Sequence, residues 1–330
     1  MKINSLVLLT LLLPGAALPG HCAGTGMSAA AFLGLPAGVR GAALGGAVCA
    51  GGGGMELFDN PAAMRARPDL FAAFSHAQLM ADLSFEAAYA AASGRNWTVG
   101  AGAQQLSYGD LDLRPNTGVL AGTISPSDRL LALGLGLDLG EGVSVGAAGK
   151  RIESKIYGTA SASALDLGLH IKADDFSAGL AIQNMGQGLK FQRENSPLPF
   201  NVKLGTDMPF RDTWHWSADL NFPRYGTAWL AAGGEYAFRG RSSWTLFARA
   251  GYNSASSDTG GINGFSAGFG LAGKRLTLDY ALRTMGVLGL THQVGLSWRL
   301  GSIAPGPAAA PQALPAPVQR ARPVSAVKKR

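Results

Sequence analysis

From residue 129 to residue 151 the chain reads RLLALGLGLDLGEGVSVGAAGKR, with Leu131, Leu133, Leu135, Leu137 and Leu139 separated by Ala132, Gly134, Gly136 and Asp138. Alternation at period two sends successive side chains to opposite faces of a strand. This stretch therefore predicts a strand with one bulky apolar face and one small or polar face. Glu141-Gly142 turns it, and Val143, Val145 and Ala147 resume the pattern opposite Ser144, Gly146, Ala148 and Lys150. Similar runs recur from about Leu70 to Leu300. The bulky parity takes Leu83, Phe85, Ala87 and Tyr89, then Trp97, Val99, Ala101 and Ala103, and so on to Val294, Leu296, Trp298 and Leu300. The other parity takes Gly, Ala and Ser with the ionisable residues Glu86, Lys150, Asp166, His170, Lys172, Lys203, His215, Asp219, Glu235, Arg249, Asp279, Arg283 and Arg299.

Almost the whole body is strand by this pattern, so no helices are left to cover an apolar outer face. A soluble sandwich could pack its leucine faces together, but its wet face would carry Thr, Lys and Glu rather than Gly and Ala. A transmembrane antiparallel β-barrel explains both faces, with lipid outside and a small or polar lumen inside. Short turns at 93–95, 141–142, 173–175, 210–212, 239–241 and 273–275 alternate with mostly longer links. If 108–128 is one extended outer hairpin, about fourteen strands result. An even count returns both ends to the periplasm. It also puts Trp97, Trp214, Trp244 and Trp298 near the periplasmic strand ends, where an aromatic belt belongs.

The flanks differ from the body. Residues 1–23 have a basic start at Lys2, an apolar run from Leu6 to Leu13 and small residues after it, which predicts a secretory signal peptide. A cut after Ala23 leaves the pattern imperfect at His21 and removes Cys22, so that Cys49 stands alone with no disulfide framework. Residues 24–68 are Gly/Ala-rich without alternation. Residues 301–330 hold six prolines and no apolar period, and predict a disordered, basic periplasmic tail. Of the formal net charge of +7, five units lie in that tail and one at Lys2, which leaves +1 for residues 24–300. A near-neutral body offers no surface for nucleic acid.

Several motifs fail in context. GFGLAG at 268–273 matches a dinucleotide fingerprint, but a strand-like KRLTLDYALR follows where a helix is required. GGGG at 51–54 lacks the Gly-Lys-Ser/Thr of a phosphate loop, and NWT at 96–98 is a sequon by spelling only. The five histidines are scattered without zinc spacing. No metal, cofactor or catalytic residue follows, and the chain does not read as an enzyme. Lys150, Asp166, His170, His215, Asp219, Glu235, Arg249, Asp279 and Arg283 are expected to form a structural ion network in the lumen. Truncation of Lys150 there should be tolerated.

Residues 32–64, FLGLPAGVRGAALGGAVCAGGGGMELFDNPAAM, carry a resemblance. Gly38, Arg40, Ala43, Leu44, Gly45, Gly46 and Ala47, followed by Asn60-Pro61-Ala62, look like the start of the PorV/PorQ family of outer-membrane proteins. That family is itself similar to FadL-type fatty-acid transporters. Further matches run in order through LSYGDL (106–111), SVGAAGKRIESKI (144–156), LAIQNMGQGLKF (180–191), PLPFNVKLG (197–205), SADLNFP (217–223) and LDYAL (278–282). The resemblance implies a fourteen-stranded barrel over 69–300 whose segment 24–68 folds inward as a hatch, with Arg40, Gly45, Gly46, Asn60, Pro61 and Ala62 as the hatch motif. The family pattern places acidic residues about ten positions before the Asn-Pro-Ala. Ala50 to Gly54 occupy that place here, which puts ionic anchoring of the hatch at that point in doubt.

Three functions remain open. The first is passage of hydrophobic small molecules across the outer membrane with the hatch as gate. The second is a role in protein secretion with exported proteins as clients, and the third is a structural barrel. The wall promises charges and little apolar surface to the lumen. A site for a greasy ligand is therefore expected on the hatch, from Phe32, Leu35, Leu57 and Phe58, with Leu33, Leu44 and Met55 nearby. The partners expected are outer-membrane lipid, the barrel-assembly machinery, and a hydrophobic small molecule or secreted proteins. A wide apolar patch inside would favour transport, and long apolar outer loops would favour secretion.

Overall fold

The computed structural model describes residues 28–66, 70–114, 118–191, 194–211, 213–239, 243–255 and 262–301. The signal peptide expected over 1–23, with Cys22, and the tail beyond Gly301 lie outside the described residues. The wall opens with β1 (Leu70–Gln78), β2 (Ser84–Ser93) and β3 (Trp97–Ser107), after which β4 (Leu111–Leu113) and β5 (Gly122–Ile124) form a small separate ribbon. It continues with β6 (Ser127–Gly140), β7 (Val143–Lys155), β8 (Thr159–Lys172) and β9 (Ser177–Gly186), and a second ribbon of β10 (Leu189–Phe191) and β11 (Glu194–Ser196) follows. Next come β12 (Asn201–Phe210), β13 (Trp214–Pro223), β14 (Trp229–Arg239) and β15 (Thr245–Asn253). The last three are β16 (Asn263–Ala272), β17 (Leu276–Met285) and β18 (Leu290–Gly301).

Outside the two ribbons, fourteen strands pair antiparallel with their neighbours, and β1 closes on β18 with Phe74 opposite Leu296. Closure removes the edges that an open sheet would leave unpaired. Among the described residues no helix is long and apolar enough to cross a membrane; the strands carry the apolar surface instead. Leu133 is 71% exposed on the outside of β6, and Ala132 beside it is 3% exposed on the inside. This is a transmembrane β-barrel. Below, its inner end is the one where β1 starts and β18 stops; the longer links lie at the outer end. Trp97, Trp214, Trp244 and Trp298 are all exposed near the inner end, where Trp214 also stacks on Trp216.

Strand β2 is the one the alternation reads inside out. Phe85, Ala87 and Tyr89 face the lumen and are buried, and Glu86 faces outward, 3.0 Å from His76 of β1. Both parities of β2 are apolar, since its outer face is Ala88, Ala90 and Ala92. Only Glu86 signalled a direction, and near the outer end of the strand an outward charge still reaches water.

The lumen is filled by the N-terminal segment. Ala29 donates its N–H to Pro197 of the outer link between β9 and β12 at 2.8 Å. From there the chain runs through the short helices Val39–Ala43, Glu56–Asp59 and Pro61–Ala66 to reach β1 at the inner end. It winds around the wall in the opposite sense to the strand order, on a seat of inward glycines. A Cβ on Gly295 of β18 would strike Val39, one on Gly268 of β16 would strike Ala43, and one on Gly251 of β15 would strike Leu44. Further round, Gly205 of β12 meets Cys49, Gly168 of β8 meets Asn60, Gly146 of β7 meets Pro61, and Gly134 of β6 meets Leu57. The small parity of the sequence is thus the footprint of the hatch.

Candidate functional site

Wall side chains hold this segment at intervals. Arg40 Nε stands 3.0 Å from Glu235 Oε2, and its Nη1 donates to the carbonyls of Gly51 and Gly52. Glu235 also takes Arg249 Nε at 2.6 Å, and Arg249 Nη1 reaches Asp279 Oδ1 at 2.6 Å. Asp219 accepts the N–H groups of Val48 and Cys49, both at 2.9 Å. His170 bonds the Ala50 carbonyl at 2.9 Å, and Lys203 of the wall lies 3.8 Å from Asp59. Gly51 packs against Asp207 of β12, whose carboxylate is 3.6 Å from the His215 ring. Ionic anchoring near 50–54 therefore exists: the wall supplies the acids that hold Arg40 and the Val48 and Cys49 N–H groups, and the hatch supplies Asp59 to Lys203.

The nine residues expected to form one ion network occupy separate places. Arg40, Glu235, Arg249 and Asp279 form one chain of ion pairs, and Asp219, His170 and His215 serve the stretch around Cys49. Lys150 Nζ lies 2.5 Å from Asp166 Oδ2 and 2.9 Å from Asn184 Oδ1, while Asn184 donates its N–H to Asp166 Oδ1 at 2.7 Å. Asn184 holds a left-handed backbone, φ 59°, at an irregularity between β8 and β9. Arg283 has no carboxylate within 4.0 Å among the described residues.

The motif residues divide by task. Gly45 and Gly46 have φ of 70° and 93°, in the left-handed region that turns the chain after its first α-helix. Asn60 is fully buried; its amide donates to the Cys49 carbonyl at 2.9 Å and to the Leu169 carbonyl of β8 at 3.1 Å, and its Oδ1 accepts from Ala62 N–H at 3.1 Å. It ties two stretches of hatch to each other and to the wall. Pro61 and Ala62 follow as the surface seated on Gly146 and Gly168. Cys49 is a buried free thiol whose pKa is pushed well up, first by burial and then by Asp219.

Sequence reasoning missed the neutral polar groups of the wall. Gln183 donates to the Phe58 and Asp59 carbonyls at 3.1 and 2.9 Å, Asn253 to Gly45 at 2.8 Å, Ser266 to Ala43 at 2.9 Å and Ser75 to Ala37 at 2.6 Å. Their signal was an isolated amide or hydroxyl on the lumen parity, which carries no motif.

The charges crowd onto β12 to β15 and β17, with Asp128 of β6, the Lys150–Asp166 pair of β7 and β8, and His170 of β8 standing apart; most of the remaining inner face of β1 to β8 is apolar, contrary to expectation. Phe85, Leu106, Leu130 and Ile152 of that face are buried in one cluster with Phe32, Leu57, Phe58 and Met64 of the hatch, and Leu35 packs against it. Leu189 and Leu198, from the outer link after β9, join the same cluster. A cavity of about 240 Å³ opens there, lined in part by Met185, Leu198, Phe200 and Tyr225. Leu44 stands apart, against Gly233 and Gly251. Among the described residues no group of three or more His, Cys, Asp and Glu is placed to hold a metal ion.

No protein-family model matches the chain, and no curated protein is significantly similar in sequence. Solved structures are similar in fold. The toluene transporter TodX of Pseudomonas putida superposes with a TM-score of 0.54 at 13% identity, over 79% of this chain and 96% of that one. A FadL homologue of Pseudomonas aeruginosa gives 0.54 at 12%, over 79% and 98%. The toluene transporter TbuX of Ralstonia pickettii gives 0.50 at 16%, over 79% and 96%. The chain shares the barrel fold of FadL-type transporters.

Proposed function

We propose that the chain is a bacterial outer-membrane channel for small apolar molecules, with the N-terminal segment as its gate. The observation that carries this is the continuous apolar cluster from Leu198 at the outer cavity, past Phe32, Leu130 and Ile152, to Leu57, Phe58 and Met64 beneath. That face seats the hatch on the wall, and an apolar solute that parts the two gains by leaving water along it. Fold-level likeness to hydrocarbon transporters supports the reading as analogy; the PorV/PorQ affinity rests on motifs alone. The ion pairs on the opposite side hold the hatch without obstructing the apolar side.

The secretion reading has one observation of its own. Tyr157 and Val287 at the outer end are 74% and 79% exposed. The links that carry them are short, which gives an exported protein little to grip.

Expression in cells whose outer leaflet excludes apolar dyes tests the proposal. Wild type should speed entry of an apolar fluorescent probe and leave a polar solute of equal size excluded. Ile152→Trp, which fills the apolar side, should slow the probe. Equal entry of both solutes would make the barrel a general pore, and co-purification of a secreted protein with no probe entry would favour secretion.

A further inference from the structure

Among the described residues three glutamines are buried on the lumen face of the wall, and two of them hold the hatch. Gln183 donates to the Phe58 and Asp59 carbonyls, and Gln293 donates to the Ala37 carbonyl at 3.1 Å. Gln104 of β3 holds nothing. It is 4% exposed, and its Oε1 is sealed from solvent with no hydrogen-bond partner among the described residues.

The surroundings of Gln104 are apolar. Ala87 of β2 and Leu130 of β6 flank it in register, and Leu106 lies next outward on its own strand face. All three belong to the cluster shared with the hatch. Next inward is Gly102, where a Cβ would strike Phe58 and approach Leu57. Gln104 therefore stands one step outward of the place where Phe58 of the hatch meets the wall.

An amide buried without a partner destabilises the fold that holds it. Leucine or methionine would fill this place without that cost, so the closed hatch gains nothing from the amide. A solute on the apolar side does gain, because here it meets a group that both donates and accepts a hydrogen bond. A hydroxyl serves both functions. An anion is poorly served: among the described residues β2, β3 and β6 carry no Lys or Arg on the lumen face, and Asp128 of β6, in register with Leu106, repels a carboxylate. A bare hydrocarbon leaves the amide unpaired.

We propose that Gln104 sets the specificity of the channel, selecting a neutral apolar molecule that carries a hydroxyl group. This rests on the transport reading above and names its substrate class. The test measures entry into cells expressing the full chain of naphthol, methylnaphthalene and naphthoate with the same ring position substituted. The half-saturating concentration for wild type should be about three- to tenfold lower for naphthol than for methylnaphthalene, the ratio that one net hydrogen bond confers. Gln104→Leu and Gln104→Met should each erase that difference and unfold at or above the wild-type temperature; folding is checked by heat-modifiable gel migration. Equal half-saturation of wild type by the two neutral probes would overturn the proposal and leave transport standing, as would a naphthol advantage kept in either folded variant. Lower unfolding temperatures in both variants would make the amide a structural group and overturn its role in selection. A preference for naphthoate would overturn the neutral substrate class. Entry of all three probes no faster than in cells without the protein would overturn the transport reading, and this proposal with it.

Discussion

Leu57 of the hatch fills the space that a side chain on Gly134 of β6 would need. Met64 borders the same space, its Cε 3.2 Å from the missing Cβ. The glycine is therefore half of a contact whose other half lies more than seventy residues upstream. Gly134→Leu should overpack this seat at a cost of about 1–3 kcal/mol. The barrel should still migrate as folded on a gel, and residues 39–66 should become accessible to protease.

Lipid takes the other parity of the same strand. Leu133→Arg places a charge on the exposed outer face at a cost of about 2–4 kcal/mol near mid-bilayer. The yield of folded barrel in vesicles should fall sharply, and Leu133→Val should restore it.

Lys150 was expected to tolerate truncation, and the structure opposes that. Its side chain is 3% exposed and its ammonium lies against Asp166, which is fully buried. Lys150→Ala leaves a carboxylate unpaired in the wall, at a cost of about 3–5 kcal/mol. Denaturant unfolding should show the loss, and Lys150→Ala with Asp166→Ala should recover part of it.

Arg40 fastens the hatch to Glu235 and to its own Gly51 and Gly52 carbonyls. Hydrogen bonds to charged groups contribute about 1.5–3 kcal/mol. Arg40→Met should raise amide exchange across residues 39–54 by the corresponding factor, with exchange in β6 to β8 unchanged.

The barrel was legible because lipid imposes one rule on the outer face, and Leu131, Leu133, Leu135, Leu137 and Leu139 of β6 obey it. β2 broke the reading because its outer face is alanine and its inner face is Phe85 and Tyr89, so hydrophobicity alone gave no direction. The apolar half of the lumen was illegible for a related reason. Leu130 and Ile152 sit on the parity that elsewhere holds Gly and Asp, and only the third dimension brings them beside Phe32. Asn60-Pro61-Ala62 stood out by resemblance, but its partners Cys49 and Leu169 could not be named without the winding of the chain.

The most direct measurement compares entry of an apolar probe into cells carrying wild type or the folded Asn60→Ala, Pro61→Ala double variant. Asn60 makes three hydrogen bonds that tie the hatch to itself and to β8. Their loss should free the hatch and raise entry several-fold over wild type, with wild type itself above cells that lack the protein. Entry no faster than in cells without the protein, for both forms, would contradict the account.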